Sequence, residues 1–546
     1  MAPPVLILPL ALVVAGARAA APAPVPAAPP GAAGDPVVLS PFQVEAGSDR
    51  GYLATQTLSG TRLKADLRDI GSALTVFTEQ LLDDLGANSI QDLMAFAPNT
   101  DPFVMTTSDI TGTGNDFINI PTKFVSRGGS TTVVAQDFFA NNIPQDRYNS
   151  EALTFTRGPN AILFGLGNAA GAFLSSTKRA RPRRATTVEY QVDHRGSYRA
   201  TLDHNQVLVK DVASIRYAGL HEALNSFRVP AESFQRRHFL TLTFHPLPRT
   251  TLRVSHEQGL INAPAVRPWP DYDAISPWLA AGSPLIDTFT NTAGGKPAGV
   301  QNYGQAGLVS TQFTRGGTVV PTQRMTNQGQ TAPTTFANGF AVNGANFRSL
   351  VAPAIYPTFA SNFGSTAFRL TDYAVSSVFL EQQLGRDLFV EAAANFVHND
   401  LTAVNGFVGQ NTYIHADPNR QLPDGRPNPN VGLLYGESQA TIIDAPNRAE
   451  NFRVMASYTL DFGRDRTGWW RHLGRHQAAA FLEDTTTSGW SSNNGMFNVT
   501  PLATTGAAAA INNGANAVRF RYYFEPARGR IGTGSGTALR SFPVLY

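Results

Sequence analysis

Beyond about residue 185 the chain alternates between apolar and polar positions. Val188, Tyr190 and Val192 alternate with Glu189, Gln191 and Asp193, and Leu240, Leu242 and Phe244 alternate with Thr241, Thr243 and His245. Leu388, Val390, Ala392, Ala394 and Phe396 face away from Glu391 and Asn395. Phe452, Val454, Ala456, Tyr458, Leu460 and Phe462 alternate with Asn451, Arg453, Ser457, Thr459 and Asp461, and Val518, Phe520, Tyr522 and Phe524 with Arg519, Arg521 and Glu525. Successive side chains on a strand point to opposite faces, so this period predicts about ten strands, each with one apolar face. A soluble β-sandwich and a transmembrane barrel would both alternate in this way. The connections favour the barrel. Pro246 to Arg249 and Gln383 to Arg386 read as tight turns, whereas Asn262 to Leu370 and Leu401 to Ala449 are very long. With the tight turns at one end of the sheet the long connections fall at the other, as in barrels with short periplasmic turns and long outer loops.

Residues 51–180 have a different texture and predict a small mixed α/β domain. Ala73 to Phe77 reads as a strand, and Thr78 can cap a helix that Gly86 stops. Ser89 can cap a second helix, with Ile90, Leu93, Met94 and Ala97 on one face and Pro98 as its end. Thr131 to Ala135 and Leu153 to Thr156 read as further strands. At the amino end, Val5 to Ala15 is apolar but too short to span a bilayer, and Ala17-Arg18-Ala19 follows as a cleavage pattern. Residues 1–19 therefore read as an export signal. Residues 20–36, rich in Ala and Pro, read as an extended tether. Residues 37–44 are an isolated strand-forming stretch that needs a partner.

Composition narrows the function. Of 546 residues 42% are hydrophobic and 15% charged, with 34 Phe and 15 Tyr. Runs of about twenty apolar residues, which a helical membrane protein needs, are missing. The absence of cysteine excludes thiol catalysis, Cys-zinc sites and disulfides. A formal charge of +3 gives no reason to invoke nucleic acid. Gly165-Leu166-Gly167-Asn168-Ala169-Ala170 matches a dinucleotide fingerprint, but no repeated strand–helix–strand unit follows. The histidines are scattered, no metal set or Ser-His-Asp arrangement is legible, and no enzyme is predicted. Lys178, Arg179, Arg181, Arg183 and Arg184 read as a solvated hinge, or as a contact for anionic headgroups. Trp469-Trp470 suits an interfacial belt or a packed turn.

Several segments together resemble the TonB-dependent outer-membrane receptors, which carry an amino-terminal plug inside a barrel. Val37-Val38-Leu39-Ser40-Pro41-Phe42 stands where that family carries its TonB box. Leu74-Thr75-Val76-Phe77-Thr78 resembles the plug opening, and Phe124-Val125-Ser126-Arg127-Gly128-Gly129 an arginine–glycine strand. The most specific stretch is Arg157-Gly158-Pro159-Asn160-Ala161-Ile162-Leu163-Phe164-Gly165, followed by Gly171 and Thr177-Lys178-Arg179. Two departures stand out. Asp137-Phe138 replaces the usual Asp-Gly, and Ala172-Phe173-Leu174-Ser175 replaces a branched, strand-like run.

The resemblance implies a transmembrane antiparallel β-barrel over 185–546 with an α/β plug over 51–180. It implies energised uptake of a scarce solute such as a ferric siderophore, with oligosaccharide or cobalamin as alternative cargo. The expected partners are a TonB-type energy transducer at residues 37–44, outer-membrane lipid and the solute. No cofactor is expected, iron entering only inside a transported chelate, and the receptor is expected to be a monomer. Arginines at the positions of Arg127 and Arg157 pair with barrel glutamates in the family and so lock plug to wall. A passive porin or adhesin barrel and a secreted β-rich hydrolase are the competing readings. The family's barrel has about twenty-two strands against the ten counted here. The chain is therefore expected to be an incomplete receptor whose sheet is open, with edges near Thr187 and Tyr522.

Overall fold

The computed structural model describes residues 51–59, 62–101, 125–126, 130–131, 133–158, 171–227, 229, 231–264, 368–405, 413–416, 420, 427–438 and 441–495, together with short strands at 272–273, 309–313, 319–323, 334–335, 341–342, 518–524 and 541–542. The plug is a five-stranded sheet built from β1 (Leu74–Phe77), β2 (Val133–Gln136), β3 (Phe139–Ala140), β4 (Ser150–Arg157) and β5 (Gly171–Thr177). Its order is β1-β4-β5-β2-β3, with β5 antiparallel to β4 and parallel to β2. Helix α1 (Glu79–Leu85) starts where the Thr78 hydroxyl accepts the Leu81 N–H at 3.3 Å. It stops at Gly86, whose φ of 62° lies in the left-handed region that C-caps require. Helix α2 (Ile90–Met94) carries a reciprocal capping box between Ser89 and Asp92. It is shorter than the periodicity predicts, yet Ile90, Leu93, Met94 and Ala97 are all buried. They pack with Phe77, Leu82, Val134, Leu153, Phe155 and Phe173 as one apolar core.

The run after Gly171 departs from the family pattern but still forms β5, because Phe173 sits fully buried in that core. Gly171 itself has a φ of +114°. A Cβ there would lie 2.1 Å from the Thr156 carbonyl oxygen.

From Ala185 onward the chain builds a meander. Its strands are β6 (Ala185–Val192), β7 (Tyr198–Val209), β8 (Ala213–Asn225), β9 (Glu232–Phe244), β10 (Thr250–Pro264), β11 (Phe368–Leu384) and β12 (Leu388–Asn405). Then come β13 (Thr441–Asp444), β14 (Asn447–Asp461), β15 (Arg475–Gly489) and β16 (Ser492–Gly495). Neighbours pair antiparallel in sequence order from β6 to β12. The lower part of β12 pairs with β14 and its last residues with β13, and β15 and β16 continue outward from these. Among the described residues the sheet is open, with β6 at one edge and β15 and β16 at the other.

The expected edge near Tyr522 is wrong. Val518–Phe524 pairs instead with Leu434–Ser438 and with Thr311 and Gln312, in a separate sheet. Its alternation is real, but alternation within a segment does not say which sheet the segment joins.

The wall has two unlike faces. One carries Arg237, Arg253, Glu257, Glu381, Glu391 and Arg453, all buried. The other carries Leu240, Val254, Val378, Leu380, Phe452, Val454, Tyr458 and Leu460, all exposed. On β12 the outward apolar run extends from Leu388 to Phe396, and on β14 from Phe452 to Leu460. That is the reach of a tilted strand across a hydrocarbon core, about nine to eleven residues. Beyond Phe396 the outward face turns polar with the His398–Asp400 pair at 3.0 Å. At the other end, between β14 and β15, Trp469 and Trp470 stack with ring centroids 4.1 Å apart and are 63% and 47% exposed. This exposure removes the packed-turn reading. No helix among the described residues is long and apolar enough to cross a membrane.

Candidate functional site

The plug meets the polar face of the wall through a set of buried ion pairs. The segment after β3 is shaped by its own side chains. Asn141 Oδ1 accepts the Ile143 N–H at 2.8 Å, and Asp146 Oδ1 accepts the Tyr148 N–H at 2.8 Å. This Asp-capped turn, Arg147–Asn149, presents Tyr148 and Asn149 to the wall, both buried. Their target is Glu257 on β10. The Tyr148 hydroxyl donates to Glu257 Oε1 at 2.8 Å, and Asn149 Nδ2 donates to Oε2 at 2.7 Å. From the wall, Arg237 Nη2 donates at 2.9 Å and the Tyr373 hydroxyl at 2.6 Å to the same carboxylate. Arg237 lies over the rings of Tyr148 and Tyr373, 5.1 and 5.4 Å from their centroids. Glu257 is thus the point where three wall strands and the plug share one charge network.

Four further contacts repeat the logic. Asp146 receives a two-pronged bond from Arg199, at 2.7 and 3.0 Å, and Arg199 also holds Glu222 at 3.0 Å. Asp137 accepts from the Thr177 hydroxyl at 2.6 Å and lies 3.3 Å from Arg253 Nη1. Arg453 pairs with Glu391 at 3.0 Å and donates to the Asp137 carbonyl at 3.2 Å. Arg62, only 2% exposed, crosses from the plug to Glu483 on β15 at 3.1 Å. A buried charge is tolerated only when paired and hydrogen-bonded. Each pair therefore fixes the plug in register with the strand that supplies its partner.

Burial pushes the Asp146 carboxyl up, but Arg199 and the Tyr148 N–H outweigh it and hold the group below the usual carboxylate range. Asp137 is likewise raised by burial and more strongly lowered by Arg253 and Thr177. A carboxyl depressed in the folded state stabilises fully above its unfolded value, near 4, and loses that contribution as pH falls through the lower folded value. The melting temperature of the detergent-solubilised protein is thus expected to be insensitive to these two groups from pH 7 to about 5. It should fall steeply below about pH 4. Circular-dichroism melts across that range check it.

The residues singled out from the sequence fare unevenly. Val37, Val38, Leu39, Ser40, Pro41 and Phe42, as well as Arg127, Gly128, Pro159 and Gly165, lie outside the described residues. Gly158 ends β4 with a φ of 90°. Arg157 is half-buried, its N–H bonded to the Ala73 carbonyl at 2.9 Å and its Nη2 3.5 Å from Thr75 Oγ1. Its partners are thus within the plug sheet, and no carboxylate pairs with it among the described residues. The basic run is not a solvated hinge. Lys178 pairs with Asp203 at 2.7 Å, Arg179 with Glu381 at 3.5 Å and Arg181 with Glu151 at 2.5 Å. Only Arg183 and Arg184 are exposed there.

The lock residues that sequence reading missed are Asp137, Asp146, Tyr148 and Asn149 on the plug, and Arg199, Arg237, Arg253, Glu257, Glu391 and Arg453 on the wall. A usable signal was present. Arg253 and Glu257 share the polar face of a strand whose other face carries Leu252 and Val254, so two opposite charges point inward from one face of β10.

Comparison with known proteins fits this geometry. No family model matches the chain. A probable TonB-dependent receptor, BfrD, from Bordetella pertussis is 26% identical over 160 residues, which is 29% of this chain and 20% of that protein. The structure of the FpvAI–pyocin S2 complex superposes with a TM-score of 0.55 at 12% identity, covering 88% of this chain and 51% of the receptor. The ferripyoverdine receptor of the outer membrane of Pseudomonas aeruginosa, bound to ferripyoverdine, superposes with a TM-score of 0.53 at 13% identity, covering 89% and 52%. The chain spans about half the length of these solved receptors and a fifth of the curated relative. Two of these matches are named as receptors, and none of the three as an enzyme. The chain has the fold of the TonB-dependent outer-membrane receptors, a plug seated against an open stretch of antiparallel barrel wall.

Proposed function

We propose that this chain is the plug and part of the barrel of an outer-membrane receptor that imports a scarce solute, such as a ferric siderophore, using energy from a TonB-type transducer. The observation that carries this reading is a plug held by buried ion pairs on the polar face of a sheet whose other face is an apolar band of membrane-crossing height. A passive porin or adhesin has no use for such a plug. A secreted hydrolase would not leave Leu380, Phe452, Val454 and Leu460 exposed together.

In this reading residues 1–19 direct export and residues 37–44 form the box. The box would add as an edge strand to the transducer, whose pull remodels the plug. Arg127 would be a further plug cation for a barrel carboxylate. The interface is not uniformly tight. A polar cavity of about 500 Å³ lies between α1 and strands β6 and β7, lined by Glu79, Asp83, Arg147, Lys178 and Asp203. Ion pairs around water can be exchanged without opening an apolar core, which suits a plug that must move. No chemical step on the solute is involved, and iron would pass only as its chelate. That one solved relative binds ferripyoverdine supports a siderophore. Oligosaccharide and cobalamin are the alternatives.

The test is binding of the periplasmic domain of a TonB-type transducer to the purified, detergent-solubilised chain. Binding that disappears when residues 37–44 are deleted is expected. No binding, or binding indifferent to the deletion, would contradict the reading.

A further inference from the structure

Among the described residues, most inward-facing arginines of the wall that are shielded from solvent are matched with carboxylates. Arg199, Arg216, Arg237, Arg253 and Arg453 each pair with an acidic side chain. Arg369 on β11 is only 5% exposed, yet no acidic or hydrogen-bonding partner of its guanidinium is found among the described residues. Its Nε is fully enclosed without an acceptor. The ladder explains why no neighbour can help. Across β10 and β12 it faces Ala263 and Ala403. On the same face, Thr371 Oγ1 is also buried without a partner among the described residues.

Position sharpens the point. Arg369 is the second residue of β11, immediately after the long connection 265–367. Four residues further along the same face, Tyr373 holds Glu257 and through it the plug. The unpaired guanidinium therefore stands inside the wall, on the loop side of the plug lock.

A buried cation left without a partner is costly, and a structure that keeps one has a use for the missing anion. A guanidinium matches a carboxylate or phosphate in a planar, two-pronged way. We infer that Arg369, with Thr371 two residues along the same face, forms a binding subsite for an oxyanion group of the transported solute. This inference rests on the receptor reading above and adds to it that the solute is anionic. Thr371 can donate its hydroxyl hydrogen to the same anion, which would satisfy that side chain as well.

The experiment compares wild type with Arg369→Met in detergent, with melting temperatures read in chloride, citrate and phosphate at one ionic strength. The general salting effect of citrate and phosphate acts on both proteins alike, so only the difference between them counts. Citrate or phosphate is expected to raise the wild-type melting temperature by about 3 °C or more beyond its effect on the variant. In chloride the variant is expected to be at least as stable as wild type, because an uncompensated buried charge has been removed. Arg369→Gln should behave as Arg369→Met does. Equal anion responses in all three proteins, or a variant clearly less stable in chloride, would overturn the inference. Binding of the transducer domain is read separately on the same variant and should be unchanged. The subsite can therefore fail while the receptor reading stands.

Discussion

Replacing Glu257 by alanine is expected to destabilise the docked plug by about 3–5 kcal/mol, the penalty for leaving a buried charge unpaired. Arg237 is less than 2% exposed and its carboxylate partner is Glu257. Without that group, Arg237 keeps the Tyr373 hydroxyl as its hydrogen-bond partner among the described residues, and Tyr148 and Asn149 lose their acceptor. The loss should appear as a lower urea midpoint and as early protease cleavage within 133–158. Glu257→Gln should be intermediate, since an amide oxygen still accepts hydrogen bonds but carries no charge. Arg157→Ala makes a useful contrast. Its guanidinium makes a long bond to Thr75 on an adjacent plug strand, so its loss should cost about 1 kcal/mol or less.

Gly171→Ala is expected to be comparably damaging for a purely steric reason. The new Cβ would stand 2.1 Å from the Thr156 carbonyl oxygen, on backbone that cannot swing aside, in a conformation of φ +114°. Left-handed strain and overpacking together should cost about 3 kcal/mol or more. The damage should be local to the plug. β4 and β5 carry Phe155 and Phe173 into its core, whereas the wall strands pair without them. Amide exchange resolved by segment would show plug amides losing protection while those of β8 to β11 keep theirs.

These two residues also show what was legible in the chain. Gly171 was visible as a motif glycine, and its backbone supplies the reason. The caps at Thr78 and Ser89 and the face formed by Ile90, Leu93, Met94 and Ala97 were legible because capping and helical period are local rules. Alternation gave the wall strands and their outward faces for the same reason. Glu257 was not legible as a hub. Its plug partners Tyr148 and Asn149 lie more than a hundred positions earlier, and nothing local marks which inward carboxylate a distant turn will meet. The basic run at Lys178 was misread because its carboxylates, Asp203 and Glu381, sit on strands whose register no local rule supplies. The segment Val518–Phe524 was assigned to the wall because its alternation matches, although its pairing partners lie elsewhere.

The plug is seated on the wall through cross-interface charge pairs. The most direct measurement is a double-mutant cycle between Asp146 on the plug and Arg199 on β7, which meet in a two-pronged bond at 2.7 and 3.0 Å. Unfolding free energies of wild type, Asp146→Ala, Arg199→Ala and the double variant would be compared at pH 7, where Asp146 is charged. A favourable coupling of about 1.5 kcal/mol or more is predicted. Effects that add within about 0.5 kcal/mol would mean that the two groups do not meet, and would contradict the seated plug.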